Sequence, residues 1–194
     1  MTSSPPRDIY LSVDIEADGP IPGPHSMLSL GAAVFDLDRT LLATFAVNLL
    51  PLPDSIPHPD TMEFWARNPV PFAATQTDRR DPADAMAEYR AFIDRLPRRP
   101  VFVGYPAAFD HMWHHWYLQR FTGADPCGFA PLDLKSYAAA MLRVPFRQAA
   151  KRAFPQAWFA GGPPHDHTAL TDAIGQGVLA INMLRAHFGL PEIP

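Results

Sequence analysis

With 194 residues, 47% of them apolar, the chain can bury a core, which excludes a disordered polypeptide and fits one folded unit over residues 1–194. One cysteine, Cys127, excludes an internal disulfide framework and suits a reducing cytoplasm. The net charge of −4 argues against a simple basic nucleic-acid binder, unless carboxylates hold divalent cations that bring the sum toward zero.

The start, Met1 to Asp8, is polar, and no apolar run of signal or membrane-spanning length follows it. A soluble cytoplasmic chain without membrane contact is therefore expected. Residues 9–16 alternate Leu11, Val13 and Ile15 against Ser12, Asp14 and Glu16, the period of a strand. Residues 28–35 form a second, mostly apolar strand, residues 36–39 a turn, and residues 41–50 a third strand, together an antiparallel meander. Asp60 and Glu63 have capping-box spacing ahead of Phe64 and Trp65. Asp81-Pro82 starts a helix whose face carries Met86, Tyr89, Ile93 and Leu96. A short buried strand over 101–105 leads into a helix over about 107–121, and a fifth strand at 132–134 into a helix ending near Met141. A long helix over about 168–187 closes the pattern, with Gly189 as its stop. Strands first and then alternating helices and strands predict an α/β fold, a mixed sheet flanked by helices.

Several polar residues stand where apolar ones are expected. Asp14 and Glu16, two apart on a strand, project from one face about 6–7 Å apart. In an apolar strand that pairing is costly unless a cation lies between them, and hard oxygen ligands suit Mg²⁺ or Mn²⁺; a strand end emerging into solvent is the alternative. Asp172 lies on an apolar flank of the last helix, beside Ala169, Ala173, Leu179 and Met183. Asp110 opens the helix that follows strand 101–105, at the strand end where α/β sheets bind ligands. Either aspartate also fits simple stabilisation of a helix start by the helix dipole. His167 precedes the last helix in a loop, and an imidazole there suits a proton acceptor as well as a surface residue.

Taken together, Val13-Asp14-Ile15-Glu16, Gly104-Tyr105-Pro106-Ala107-Ala108-Phe109-Asp110 and His167-Thr168-Ala169-Leu170-Thr171-Asp172 occur in an order that resembles the DEDDh exonucleases, the DnaQ-like group. Ser29-Leu30-Gly31-Ala32 is similar to the family's second strand, and Thr168 stands where the sister group with a catalytic tyrosine has Tyr. Tyr105-Pro106 departs from the family's frequent G-H-N-x-x-F-D pattern, and the stretch from Thr61 to Trp65 is looser in its similarity, toward RNase T-type exoribonucleases and phage exonucleases. The resemblance implies an RNase H-like fold with a five-stranded sheet, as a single exonuclease domain whose core runs over about residues 9–188.

It further implies two Mg²⁺ or Mn²⁺ ions held by Asp14, Glu16, Asp110 and Asp172. His167 would act as general base in hydrolysis at the 3′ ends of RNA or single-stranded DNA, releasing nucleoside 5′-monophosphates. Relatives of the RNase T type also imply a homodimer. Substrate contacts are expected from the Ala17-Asp18-Gly19 turn, from Trp65 or Phe64 stacking on a base, and from the basic cluster Arg143, Arg147, Lys151 and Arg152. Core packing for the two aromatics, and a solvated face for the basic cluster, are the competing readings. His111, His114 and His115 raise a zinc site at helical spacing, against ordinary helix packing, and His165 stands near His167 as a rival base. A non-catalytic nucleic-acid-binding scaffold and a hydrolase of short oligonucleotides are the other functions weighed.

Overall fold

A computed structural model of the chain describes residues 8–193. The polar segment before them, on which the expectation of an unexported protein partly rests, lies outside the described residues. Strand β1 (Ile9–Ala17) pairs antiparallel with β2 (Met27–Asp36), which pairs antiparallel with β3 (Leu41–Asn48). On its other side β1 runs parallel to β4 (Val101–Gly104), and β4 parallel to β5 (Leu132–Asp133), giving the sheet order β3-β2-β1-β4-β5. This is the mixed five-stranded sheet expected from the pattern.

The period of two in β1 sorts its side chains onto two covered faces. Ile9, Leu11, Val13 and Ile15 join the core under helices α3 (Pro82–Asp94) and α4 (Ala107–Thr122), with Met86, Tyr89, Trp113 and Tyr117. Tyr10 faces the opposite core, built from Ala33, Phe35, Val103 and the apolar side of α6 (Ala169–His187). Helix α5 (Leu134–Leu142) adds Leu134 and Ala138 to that layer. Between β3 and α3 lie two short helices, α1 (Pro59–Arg67) and α2 (Pro69–Thr75).

Local chemistry accounts for the boundaries. Asp81 caps α3 by accepting from the Ala83 N–H at 2.8 Å, and Pro82 supplies the preset φ of a first helical residue. The expected capping box at Asp60 does not form. Pro59 occupies the first turn of α1, so the helix begins a residue earlier from His58 and Asp60 becomes an ordinary first-turn acid. β3 ends at Asn48, short of the expected Leu50, because the Asn48 side chain donates to Ala74 O and Thr77 O, both at 2.9 Å, while Leu50 N–H turns to Arg80 O. Between α5 and α6 the chain makes three single-turn 3-10 segments, Phe146–Gln148, Lys151–Ala153 and Gln156–Phe159. Among the described residues no helix is long and apolar enough to cross a membrane.

Candidate active site

The carboxyl-terminal end of β1 carries Asp14 and Glu16 on the face covered by α6. Opposite Asp14 in the register is Gly31 of β2. A Cβ added there would lie 2.2 Å from the backbone of Ala169 and 2.3 Å from Leu170 N, so only glycine lets the first turn of α6 rest directly on the sheet. That close approach brings Asp172, in the same turn, to the two strand carboxylates. Ligand oxygens of Asp14, Glu16 and Asp172 all lie within 4.8 Å of one another.

Asp110 arrives from the first turn of α4 on the far side of β1. Its Oδ1 accepts the Ile15 N–H at 3.2 Å, the amide that lies between the two acidic residues of the strand. Three elements thus deliver four carboxylates to one end of β1.

Their electrostatics carry the mark of that crowding. Burial, with the Asp172 charge beside it, pushes Asp14 up to about 7, while the Lys151 charge pulls the other way. Burial and then the charges of Asp14, Asp172 and Asp110 push Glu16 up to about 9. Burial and Asp14 likewise drive Asp110 well above the ordinary carboxylate range. Like charges in a desolvated cluster disfavour ionisation, and a divalent cation among hard oxygen donors reverses the balance. The donor set fits Mg²⁺ or Mn²⁺.

The loop before α6 is folded back onto Asp172. Oδ1 accepts the Asp166 N–H at 3.1 Å and Oδ2 the His167 N–H at 3.0 Å. His167 adopts a positive φ of 60°, and its ring meets Phe64 at 5.3 Å and His165 at 4.3 Å between centroids. His165 Nδ1 lies 2.7 Å from Asp172 Oδ2. A cavity of about 400 Å³ opens beside Asp172, bounded by Lys151, Phe159, Pro163, His165 and Gln176.

The expected substrate contacts fare differently. Trp65 is buried at 2% exposure and its indole N–H donates to Ala17 O at 2.9 Å, so it supports the turn and does not offer a stacking face. The neighbouring Phe64 is half-buried with its ring against His167. The Ala17-Asp18-Gly19 turn is packed too. The Asp18 N–H donates to Ser26 O, its carboxylate accepts from Ser26 N–H at 2.6 Å, its carbonyl accepts from His58 N–H, and the His25 ring fills the space a Gly19 Cβ would need. This turn acts as a strut, an outcome that follows from its buried position. Arg143 and Arg147 are exposed.

One residue at the site, Gln176, escaped the sequence reading, and a second, Lys151, was read only as a member of the basic cluster. Gln176, one turn beyond Asp172, is buried and donates to Ser12 Oγ at 3.1 Å and Val13 O at 3.0 Å while accepting the Tyr105 N–H at 2.7 Å. Its signal is the one that marks Asp172, a polar residue on an apolar flank. Lys151 lies with its Nζ 4.9 Å from the centre of the Tyr105 ring. Tyr105-Pro106, the departure in the second motif, therefore serves as a support for Lys151 and an anchor for Gln176.

No family model matches the sequence. The chain is 32% identical over 182 residues to the 3′-5′ DNA exonuclease Cap18 of Escherichia coli, covering 89% of this chain and 90% of that protein. Among solved structures it matches the nuclease domain of 3′hExo, a DEDDh family member bound to rAMP, with a TM-score of 0.70 at 13% identity over 99% of both chains. S. pombe Pop2p in a form binding Mg²⁺ and Mn²⁺ gives 0.66 at 15% identity, over 92% of this chain and 84% of the other. E. coli Exonuclease I in complex with a 5cy-dT13 oligonucleotide gives 0.65 at 15% identity, over 93% of this chain and 41% of the other. The structural neighbours share the RNase H-like fold, and the 32% identical relative carries the assignment further. The chain belongs to the DEDDh family of 3′–5′ exonucleases.

Proposed function

We propose that residues 1–194 act as one exonuclease domain that shortens single-stranded DNA from its 3′ end, releasing nucleoside 5′-monophosphates. Asp14, Glu16, Asp110 and Asp172 are the metal-holding carboxylates, and His167 is the general base. The observation that carries this reading is the convergence of four carboxylates on one strand end, with three of them pushed upward by burial and mutual repulsion. These carboxylates would hold two Mg²⁺ or Mn²⁺ ions, whose chemistry there would be Lewis acidity toward the attacking water and the phosphoryl oxygens.

The residues of the chain do the rest. His167, anchored through its N–H to Asp172, takes the proton of the attacking water. The water oxygen bonds to the terminal phosphorus, the bond from phosphorus to the 3′ oxygen breaks, and the departing oxygen takes a proton from solvent. Phe64 is the proposed face for the terminal base, and the exposed Arg143 and Arg147 are the proposed contacts for the strand's phosphates. DNA is favoured by the relative named a DNA exonuclease, and single strands by the oligonucleotide complex of Exonuclease I. RNA is the second reading, favoured by the rAMP complex of 3′hExo.

Digestion of 5′-labelled single-stranded DNA, single-stranded RNA and blunt duplex, each with Mg²⁺, Mn²⁺ or EDTA, tests the proposal. The expected result is a ladder shortening from the 3′ end only with metal and fastest on single-stranded DNA. Cleavage that persists in EDTA, or internal cuts without a ladder, would overturn it.

A further inference from the structure

Further along α4 than Asp110, the histidines that nuclease chemistry leaves unused meet a buried carboxylate. His111 and His115, four residues apart, stack their rings 5.7 Å apart at 25° on one helix face. Asp125, in the turn after α4, reaches back to both, with Oδ2 2.8 Å from His115 Nδ1 and 4.0 Å from His111 Nε2. Ligand atoms of the three residues all lie within 4.8 Å of one another. We propose that His111, His115 and Asp125 form a second metal site, separate from the nuclease centre, for a borderline divalent ion of the Zn²⁺ class.

The groups around these three are arranged as supports of a metal site are. Asp125 Oδ1 is taken up by the Cys127 N–H at 2.8 Å and by His114 Nε2 at 3.2 Å, which leaves Oδ2 turned toward the two outer histidines. Tyr89 Oη lies 3.2 Å from His114 Nδ1, so a phenol donating there fixes the Nε2–H tautomer of His114. With both nitrogens engaged, His114 is a support and not a ligand. The turn itself is pinned by Arg99, which donates to Pro126 O at 3.0 Å and Cys127 O at 3.1 Å.

Protonation states agree with the geometry. Burial opposes ionisation of Asp125, yet the histidine and backbone bonds hold it far below the usual carboxylate range. Burial and Asp125 raise the Cys127 thiol, and a set that includes it would need His114, whose two ring nitrogens are already engaged. Metal entry replaces the 2.9 Å contact of His111 Nε2 with Gly128 O by coordination. Two imidazoles and one carboxylate, with the more exposed His115 at the opening, leave a fourth position for water.

The test uses the full chain carrying Asp14→Asn and Asp172→Asn, so that the nuclease centre does not compete. Co²⁺ is added and its visible absorption followed, then Zn²⁺ is titrated as competitor. The proposal expects a single equivalent of Co²⁺ displaced by Zn²⁺, affinity lowered at least about tenfold by either His111→Ala or His115→Ala, and no change with Cys127→Ser. Metal-free melting curves identify any variant that fails to fold, and the outward position of His115 keeps its truncation informative. No bound metal after gel filtration, affinity unchanged in a folded His115→Ala, or affinity lost in Cys127→Ser would each overturn it.

Discussion

Each oxygen of Asp172 accepts a backbone N–H from the loop before α6, and Oδ2 also lies 2.7 Å from His165 Nδ1. The same carboxylate faces Asp14 and Glu16, so it both shapes the loop and completes the acidic cluster. Asp172→Asn therefore removes a charge and one acceptor together, and is expected to lower kcat at least about a hundredfold while loosening the His165–His167 segment, read by hydrogen exchange at those amides. His167 and His165 differ in their attachments, since only His165 binds Asp172 through its ring. His167→Ala is expected to lower kcat by about 10²–10⁴ and His165→Ala by much less, as single-turnover rates at saturating Mg²⁺ would show. The reverse order would assign the base to His165. Asp14, Glu16 and Asp172 were legible as acids on apolar faces, because burial without a partner is costly. For Trp65 the sequence offered both core packing and base stacking, and the fold decides for the core by bringing the indole to Ala17 O. Lys151 belonged to a recognised basic cluster, but its special place follows from the Tyr105 ring, 46 positions earlier in the sequence.

At the scale of elements, the site depends on how closely α6 lies on the sheet. Gly31 permits the contact at the helix start, and Gly177 permits it two turns later, where an added Cβ would lie 2.4 Å from the Phe35 ring. Gly31→Ala is expected to destabilise the protein by roughly 1–3 kcal/mol and to weaken Mg²⁺ affinity, since backbone and not a side-chain tip must yield. Thermal melts in EDTA and a Mg²⁺ titration of activity check both effects. Gln176→Leu leaves the Tyr105 N–H without its acceptor and is expected to cost about 1–3 kcal/mol in a denaturant titration. β1 and the long helices were legible because their apolar periods are regular, and the other strands as apolar runs between turn signals. α2 and the three 3-10 turns were not, since prolines and short length leave no period to read. The departure at Tyr105-Pro106 was visible as a difference, while its partners, Gln176 and Lys151, come from another part of the chain.

For the whole molecule, the acidic cluster couples folding to pH and metal. With Asp14 near 7 and Glu16 near 9, against ordinary values of 3.8 and 4.5, the folded state retains protons that the unfolded chain has released. Stability contributed by these groups is therefore full below about pH 4 and falls as pH rises through about 7 and then about 9. Metal bound to the ionised carboxylates opposes that loss. Melting temperatures in EDTA are expected to drop across this window, and Mg²⁺ or Mn²⁺ to raise them most at its alkaline end; a metal effect independent of pH would contradict the linkage. By the same reasoning Asp14→Asn stabilises the metal-free protein at neutral pH, since it removes a buried like charge. That same residue gives the most direct test of the account, which holds that the converging carboxylates are the metal-dependent centre of a 3′–5′ exonuclease. The measurement is the rate at which Asp14→Ala shortens 5′-labelled single-stranded DNA at saturating Mg²⁺, beside the parent. A folded protein with activity reduced at least about a thousandfold is expected. A folded Asp14→Ala that degrades the strand as fast as the parent would contradict it.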